Sequence, residues 1–506
     1  MTQTPVRTRY APSPTGFMHV GNLRTALYEY LIARSLGGTF ILRIEDTDQE
    51  RQVEGAVEVI YKTLRQVGLR HDEGPDIGGP HGPYVQSERR HIYRPYAEQL
   101  AAAGHAYYCF CSKERLDALK AETSEAAGFS AGYDRHCREL PAAEVQARLA
   151  AGEPHVIRQK MPLTGATTFE DAVYGSITVE NSELEDQVLI KSDGFPTYNF
   201  ANVIDDHIMQ ITHVVRGSEY LSSTPKYNLL YQAFGWDVPT YVHLPLIVGK
   251  DGRKLSKRHG ATSFEDLVAD GYLPQAIVNY IALLGWCPSD NQEIFSLDDL
   301  CRVFTISGIS KSPSVFDYDK LSWFNAEYLR AMAPDAFLGL IRPELERVFA
   351  GRLHDAALLA ELLQPRLVRL TQIPDMIGFL TRRQDYALEL FCNKKSKASP
   401  EQAAQLLPAA RDMLAGLPDW NRQAIHDSLL ELATRLAIKT GQLMWPVRIA
   451  ASGQEVTPGG AVEILTILGR AESLARLQLG IDKLAGQPDA ASAGCADNTA
   501  ANRTKE

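Results

Sequence analysis

The sequence lacks the segments that carry a chain into or across a membrane. It has no positively charged leader followed by a short apolar stretch, and no long apolar run free of charges. We therefore expect neither secretion nor a membrane span, and we expect a cytoplasmic protein. Cysteine is also scarce, with seven residues spread through 506. This odd, dispersed set does not suit a disulfide framework and is typical of a reducing compartment.

Positive charge is in deficit, because the formal net charge is −10. An acidic average surface argues against nucleic-acid binding, in which Lys and Arg contact phosphates. It does not exclude such binding, since one local basic face is enough. Arg382-Arg383 and the cluster of Lys394, Lys395 and Lys397 are candidates for this face. The alternative for both is a solubilising surface.

The first 48 residues are the most informative stretch of the chain. Val6 to Tyr10 is a candidate strand, and a Pro/Ser/Gly run breaks it. Apolar residues at helical spacing follow, and Gly37-Gly38 ends that helix. The β-branched and apolar residues from Thr39 to Ile44 predict a return to the sheet.

This order places His19 and Gly21 at the N-terminus of a helix, beside the carboxyl end of a strand. Unpaired backbone N–H groups and the helix dipole favour a phosphate there. Gly21 allows a nucleotide to approach the backbone, and His19 can donate a hydrogen bond to a phosphate oxygen. The alternative is that His19 only caps the helix or packs in the core.

A glycine-flanked basic loop far along the chain strengthens the phosphate interpretation. Five Lys and Arg residues and one Ser lie between Gly249 and Gly260. The apolar run from Leu244 to Val248 precedes them and predicts a buried strand, and a helix is predicted to start near Ser263. A mobile lysine-bearing loop at the carboxyl edge of a parallel sheet suits a triphosphate. The alternative is a solvated basic loop.

The segments from Pro12 to Asn22 and from Lys254 to Arg258 resemble the two signatures of the class I aminoacyl-tRNA synthetases. The resemblance is closest to the bacterial glutamyl-tRNA synthetases. It covers residues 5 to about 330 strongly and about 331 to 485 more loosely. One departure is Asn22, where the family often has His; Asn can hydrogen-bond but carries no charge. Other matching stretches are Arg43 to Asp48, Ser192 to Tyr198, Asn202 to His207, Ala282 to Trp286 and Phe316 to Leu321.

The resemblance implies an α/β fold with a Rossmann-like catalytic domain, an α/β insertion, and an all-α anticodon-binding region at the C-terminus. At ~150 residues per domain, the length itself predicts about three or four domains. In the C-terminal region, Ile425, Leu429, Leu432 and Leu436 are spaced as one helix face. The expected boundaries are 1–105 for the first catalytic half, 106–204 for an acceptor-binding insertion after which the sheet resumes by Asn202, 205–260 for the second catalytic half, 261–334 for a helical stem-contact domain, 335–486 for the anticodon-binding region and 487–506 for a disordered tail.

The resemblance also implies the reaction. L-Glutamate and ATP, with Mg²⁺, give glutamyl adenylate, and the glutamyl group then moves to the 3′ terminal ribose of tRNA(Glu). No pattern in the sequence indicates the interface of an obligate dimer, and we expect a monomer. Asp48 corresponds to a contact of the tRNA acceptor end. The implied catalytic residues are His19, Lys254 and Lys257; those for ATP are Ser13, His19, Gly21, Asn22, Ile247 and Lys257; and those for glutamate are Arg9, Ser13, Glu45, Tyr198, Asn202 and Arg216.

The glutamate set is chemically consistent. Glu45 can accept the α-ammonium group, and an arginine can hold the side-chain carboxylate bidentately. Each residue also has a structural alternative. Arg43 and Glu45 could simply pair with each other, Asp205 and Asp206 could cap a helix, and Arg216 could pair with Glu219 or Asp205.

Cys109, Cys111 and Cys137 are candidate ligands of a structural zinc, which needs four ligands. The fourth could be Tyr133, His136 or Glu139. The alternative is a small loop with free thiols.

Other functions stay open beside glutamate–tRNA ligation. One is glutamylation of tRNA(Gln) or of a modified tRNA base, and another is a glutaminyl-tRNA synthetase. The helical pattern after residue 335 argues against the glutaminyl enzyme, which typically ends in β-barrels, and against the base-modifying paralogue, which lacks an anticodon domain. The last alternative is a non-catalytic tRNA-binding paralogue. Such a protein could lose the phosphate-binding residues, so the presence of His19, Lys254 and Lys257 argues against it.

Overall fold

The computed structural model describes residues 5–47, 53–127, 133–350 and 355–486. The predictions for Asp48 and for the tail 487–506 lie outside these residues. The chain divides into two compact units, each described here by itself. The first comprises Met1–Ala269 and Leu273–Phe324, and the second Asp270–Tyr272 and Asn325–Glu506.

Short strands and helices alternate in the first part of the chain. The strands are β1 Arg7–Tyr10, β2 Thr39–Leu42, β3 Ala106–Cys109, β4 Val156–Gln159, β5 Ala166–Asp171, β6 Gly175–Glu180, β7 Val188–Ile190, β8 His213–Gly217, β9 Thr240–Leu244, β10 Ile247–Val248 and β11 Ser314–Val315. The helices are α1 Val20–Ser35, α2 Ala56–Val67, α3 Arg90–Ala102, α4 Lys113–Ala127, α5 Ala142–Ala150, α6 Tyr198–Ile208, α7 Thr224–Phe234, α8 Phe264–Ala269, α9 Pro274–Ala282, α10 Leu297–Val303 and α11 Tyr318–Ala331.

The predicted strand–helix–strand unit at the start of the chain is confirmed. β1 and β2 pair in parallel, with α1 as the crossover between them. Leu23, Leu27 and Leu31 of α1 are fully buried, as its helical spacing predicts. The backbone N–H of Thr212, just before β8, donates to the carbonyl of Arg7 in β1. Further along the same two strands, Arg9 Nη1 donates to the carbonyl of Val215. β1 and β8 thus run in the same direction, and their carboxyl ends lie side by side.

The strand predicted from Leu244 to Val248 is wrong in one respect. β9 ends at Leu244, β10 begins at Ile247, and β10 pairs instead with β11. Pro245 lacks the N–H that a ladder needs, so the chain leaves one sheet and enters another there.

The prediction that the sheet resumes by Asn202 is also wrong. Asn202 lies within α6, and the strand that follows is β8. In addition, β5 and β6 form a hairpin that joins β8 and β9 in one sheet of order β6-β5-β9-β8. β5 is parallel to β9, with Asp171 opposite Tyr241. Part of the predicted insertion therefore belongs to the sheet that carries β8.

In the described residues of the second unit, all the long secondary-structure elements are helices. They are α12 Pro334–Phe349, α13 Ala356–Leu363, α14 Ile373–Thr381, α15 Pro400–Ala415, α16 Arg422–Arg435, α17 Thr440–Ser452 and α18 Ala461–Ala485. Ile425, Leu429 and Leu432 are buried along α16 as predicted, whereas Leu436 is 41% exposed because it follows the last helical residue.

Two smaller observations concern the sequence predictions. No helix in the described ranges combines the length and apolar character that a bilayer crossing requires. Among the described cysteines, five are free thiols: Cys109, Cys111, Cys137, Cys287 and Cys301.

Candidate active site

A cavity of about 830 Å³ opens at the carboxyl ends of β1 and β8, beside the start of α1 and β10. It collects residues from widely separated parts of the sequence. The residues predicted for catalysis, ATP or glutamate that line it are Arg9, Ser13, His19, Gly21, Asn22, Glu45, Tyr198, Arg216, Ile247 and Lys254. The two signature segments add Pro12, Thr15, Leu255, Ser256 and Arg258. Asn202 does not line it, and the side chain of Lys257 lies outside the described part of the chain.

His19 caps α1, and its imidazole faces the cavity. Its Nδ1 accepts a hydrogen bond from the N–H of Gly21 at 3.1 Å. Burial and the nearby Lys254 lower the pKa of His19, so the ring is neutral near pH 7 and Nε2 carries the proton. A hydrogen bond from the ring to the Leu255 backbone opposes this shift, so His19 can donate from Nε2 to a phosphate oxygen once it gives up that contact.

The start of α1 offers fewer free N–H groups than the sequence predicts. The N–H of Val20 donates to the carbonyl of Thr262, and that of Gly21 is taken by His19. Anion binding here therefore depends on the Nε2–H of His19 and on Asn22 more than on a row of free backbone donors.

The basic loop follows β10 at the carboxyl edge, as predicted, but it is held at several points. Val248 and Lys254 form an antiparallel bridge at its base. His259 Nδ1 accepts from the backbone N–H of Ser256 at 3.0 Å, and its Nε2 lies 3.1 Å from Asp251 Oδ1. These contacts hold the loop in this conformation, and its mobility stays a prediction. Lys254 Nζ lies 3.8 Å from Glu219 Oε1, in the half of the cavity next to His19, which we call the phosphate end.

Buried ion pairs organise the opposite half of the cavity. Arg9 and Arg43 share the carboxylate of Asp206, with Nε and Nη1 respectively at 2.9 and 2.8 Å from Oδ1. Burial alone would raise the pKa of Asp206, but Arg9 and Arg43 hold it below its ordinary value. Asp205 and Asp206 are thus buried counter-charges within α6, and the helix-cap alternative is wrong.

Glu45 pairs with Arg43 at 2.9 Å, so the structural alternative for these two residues is present. Its carboxylate also lines the cavity, and among the described residues its hydrogen bonds fall on Oε1 alone. Oε2 is therefore available to an ammonium group.

Arg216 has no carboxylate partner in the described part of the chain. Its Nε donates to His243 Nε2 at 3.2 Å and its Nη2 to Thr224 Oγ1 at 3.0 Å. Its guanidinium also lies 4.5 Å from the ring centroid of Tyr227. The alternative that Arg216 pairs with Glu219 or Asp205 is wrong: Glu219 is near Lys254, and Asp205 pairs with Arg89. A buried cation that faces a cavity without a counter-charge favours an anionic ligand.

Tyr198 lines the cavity, and Asn202 contacts the backbone of Tyr198. Burial, with Glu45 nearby, raises the pKa of Tyr198 well above its ordinary value, so its hydroxyl remains a donor. Asn202 Nδ2 donates to the Tyr198 carbonyl at 2.7 Å. Asn202 thus stands behind Tyr198, in contrast to the direct contact that the resemblance implies.

Several cavity residues are missing from the sequence-based set. Glu29 accepts from Arg9 at 3.0 Å, and Arg24 donates to the carbonyl oxygens of Pro245 and Leu284. A charged residue within the apolar stripe of α1 is the one sequence feature that points to Glu29. Tyr220, which lines the cavity, carries no comparable local feature. The same holds for His243 and Thr224, which do not line the cavity but accept hydrogen bonds from Arg216.

The candidate zinc ligands lie together at a separate place. The sulfur atoms of Cys109, Cys111 and Cys137 are all within 4.8 Å of one another. A tetrahedral zinc with bonds of about 2.3 Å needs sulfurs about 3.8 Å apart, and Cys111 and Cys137 are 3.6 Å apart. Tyr133 Oη lies 3.2 Å from Cys109 Sγ and 3.5 Å from Cys111 Sγ. Glu139 is 77% exposed and lies near Lys160, so Tyr133 is the better fourth donor.

Comparisons with known proteins agree with this geometry. The family described as "tRNA synthetases class I (E and Q), catalytic domain" matches residues 5–323, and "Anticodon binding domain" matches residues 315–481. The chain is 55% identical over 484 residues to a glutamate–tRNA ligase of Clostridium tetani, covering 96% of this chain and 99% of that protein. A glutamate–tRNA ligase of Clostridium botulinum strain Hall is 56% identical over 479 residues, covering 95% and 98%.

Solved structures give the same result. A glutamate tRNA ligase from Elizabethkingia meningosepticum, in complex with its amino acid, superposes with a TM-score of 0.86 at 37% identity. The match covers 95% of this chain and all of that one. A glutamate-tRNA synthetase from Elizabethkingia anophelis has the same TM-score at 36% identity, again over 95% of this chain and all of the other.

Proposed function

The chain belongs to the bacterial glutamate–tRNA ligases, a class I aminoacyl-tRNA synthetase family, and from this premise we propose how its cavity carries out the reaction. The enzyme ligates L-glutamate to tRNA with ATP. In our proposal, glutamate and ATP react to glutamyl adenylate and pyrophosphate, and the glutamyl group moves to the 3′ terminal ribose of tRNA(Glu). We also propose that it acts as a monomer in the cytoplasm, where ribosomes use the product.

One observation carries the proposal: among the residues that the structure describes, Arg216 faces the cavity without a carboxylate partner and Glu45 has one carboxylate oxygen without a hydrogen bond. A zwitterion with a second carboxylate matches this pair. Its α-ammonium group meets Glu45, and its side-chain carboxylate meets Arg216. Arg9 pairs with Asp206 and Glu29 through Nε and Nη1, which leaves its Nη2 for an anionic oxygen. Ser13 and Tyr198 supply hydroxyl donors, with Asn202 holding Tyr198 in place.

ATP occupies the phosphate end in this proposal. Ile247 offers an apolar edge for the base, and Ser13, Gly21 and Asn22 border the path of the triphosphate. The nucleophile is the α-carboxylate of glutamate, which is already an anion, so the step needs no general base. Bringing two anions together is the main barrier, and positioning and charge stabilisation lower it. His19, Lys254 and Lys257 serve the α-phosphate and the departing pyrophosphate, and Mg²⁺ screens the remaining charge when ATP is bound.

The remaining parts of the chain serve tRNA. We propose that the insertion between residues 106 and 204, with Asp48, contacts the acceptor end, that residues 261–334 contact the stem, and that residues 335–486 bind the anticodon. Zinc fits the three cysteines and Tyr133, and it would fix the fold of the insertion. Within the basic clusters, Arg383 pairs with Glu472, whereas Lys394, Lys395 and Lys397 are exposed.

Aminoacylation with purified tRNAs tests the proposal. Radiolabelled glutamate is expected on the 3′ end of tRNA(Glu) when ATP and Mg²⁺ are present. The same assay with tRNA(Gln) tests the wider substrate range. If neither tRNA is charged while the protein still binds tRNA, the non-catalytic alternative replaces the proposal.

A further inference from the structure

Arg216 is the last member of a buried chain of three side chains. His243 Nδ1 lies 2.6 Å from Asp171 Oδ2, and its Nε2 lies 3.2 Å from Arg216 Nε. The side chains of His243 and Asp171 are both 0% exposed, and Arg216 is 5% exposed. Asp171 belongs to β5 and His243 to β9, so the chain crosses the sheet from the insertion to the cavity.

The partners fix the tautomer of His243. An arginine has no acceptor, so Nε2 of His243 must accept from Arg216 and cannot carry a proton. Nδ1 is then the protonated atom, and it donates to Asp171. Asp171 is itself held in place, because its Oδ1 accepts from the N–H groups of Val173 and Tyr174.

The charges around His243 keep it neutral. Burial lowers its pKa, and Arg216 acts in the same direction, whereas Asp171 and Glu219 oppose them. The net effect is a lowered pKa, so the imidazole stays neutral at neutral pH. Thr224 Oγ1 lies 3.2 Å from its Nε2, and the ring centroids of Tyr241 and Phe169 lie 6.1 and 6.5 Å away; none of these three groups is charged.

We propose that His243, oriented by Asp171, is a positioning residue that aims Arg216 at the side-chain carboxylate of glutamate. This inference rests on the proposed function. Both acceptors of Arg216, His243 and Thr224, are neutral. They consume two N–H groups and fix the plane of the guanidinium, but they do not cancel its charge. The positive charge is therefore kept for the substrate, and glutamine, which cannot neutralise it, is disfavoured.

Two substitutions at the same position separate positioning from packing. His243→Leu removes the acceptor, whereas in His243→Gln a side-chain oxygen can replace Nε2. ATP–pyrophosphate exchange with tRNA present gives KM and kcat for each amino acid. For His243→Leu we expect the KM for glutamate to rise about tenfold, as for the loss of one hydrogen bond to a charged group, and the preference for glutamate over glutamine to fall. The KM for ATP is expected to stay unchanged, and His243→Gln is expected to restore most of the preference.

Two further variants cover the case in which His243→Leu does not fold. Asp171→Asn allows the amide to donate to Nδ1, so Nε2 becomes a donor facing Arg216, and the same rise in glutamate KM is expected. In an Arg216→Gln background, His243→Gln is expected to leave the glutamate-to-glutamine ratio unaltered. The inference is overturned if Asp171→Asn keeps the wild-type KM and ratio, or if the His243 variants change only the melting temperature. Failure of the wild-type enzyme to activate glutamate would instead reject the proposed function.

Discussion

Lys254 Nζ and Glu219 Oε1 lie 3.8 Å apart at the phosphate end of the cavity. The two side chains are 68% and 48% exposed, so the pair is weak. A triphosphate carries more charge than one carboxylate, and we expect it to take Lys254 from Glu219 when ATP binds.

Lys254→Ala is therefore expected to slow adenylate formation while the KM for glutamate changes little. Loss of one positive charge near the transition state lowers kcat by roughly tenfold to hundredfold. The effect is nearer tenfold if solvent screens the charge of Lys254 strongly. Lys250→Ala is the matched control, since Lys250 in the same loop lies near Asp317 and Asp319. Single-turnover formation of glutamyl adenylate measures both. Equal rates in the two variants would remove the role assigned to Lys254.

The variant His19→Asn distinguishes two roles of His19, as the cap of α1 and as a hydrogen-bond donor to phosphate. Asparagine is itself a strong cap and can accept the Gly21 N–H, but it is too short to donate as Nε2 does. We expect a melting temperature close to that of the wild type and a lower kcat for adenylate formation. His19→Ala should lose both activity and the cap. Full activity in His19→Asn would show that His19 serves only as the cap.

The zinc proposal predicts about one zinc per purified chain, as for a single structural site. Cys111→Ser is expected to lose the metal and to raise the KM for tRNA more than the KM for ATP. Cys287→Ser is the control, because Cys287 is an exposed free thiol outside the cluster. Metal content by mass spectrometry should also fall in Tyr133→Phe but not in Glu139→Gln. Metal-free protein with full tRNA charging would reject the site.

Asp206→Asn is expected to destabilise the fold, because two buried guanidinium groups lose their shared counter-charge. Breaking a buried ion pair costs about 3–5 kcal/mol. The folded-state pKa of Asp206 is lowered, so its contribution is present above the unfolded-state pKa of about 3.9. It is lost as the pH falls through the lower folded-state pKa. Denaturant unfolding at pH 7 and in acid measures this loss.

Glu29→Gln is the matched comparison for Asp206→Asn. Burial raises the pKa of Glu29 well above its ordinary value, and its Oε2 is buried without a hydrogen-bond partner among the described residues. Its ionised form therefore costs stability near pH 7, the opposite sign to Asp206. Replacement by Gln is expected to change the unfolding free energy by less than about 1 kcal/mol. A loss as large as that of Asp206→Asn would contradict these charge assignments.

Local patterns predicted local structure well. The strand, helix and second strand at the start of the chain follow from residue spacing and from glycine stops, and the basic loop lies after β10 as its position predicts. The break between β9 and β10 is indicated in the sequence by Pro245, because proline has no N–H to donate to the hydrogen bonds between strands.

The partners inside the site could not be predicted in this way. Arg9 and Asp206 are 197 residues apart in sequence, and Asp171 and His243 are 72 apart. Nothing in the neighbourhood of either residue indicates its partner, because the contact depends on how the strands are ordered in the sheet. The role of Asn202 shows the same limit: its position matches the family, but its amide is directed to Tyr198.

The most direct test of the account is the ratio of kcat/KM for glutamate to that for glutamine, in the wild type and in Arg216→Gln. Removing one partner of a buried charge pair costs roughly 2–5 kcal/mol, so the wild-type preference from this contact is about a hundredfold or more. The account predicts that Arg216→Gln sharply reduces glutamate activation and narrows the ratio, with a melting curve close to that of the wild type. An unchanged ratio, with a lowered melting temperature, would contradict it and leave Arg216 a structural residue.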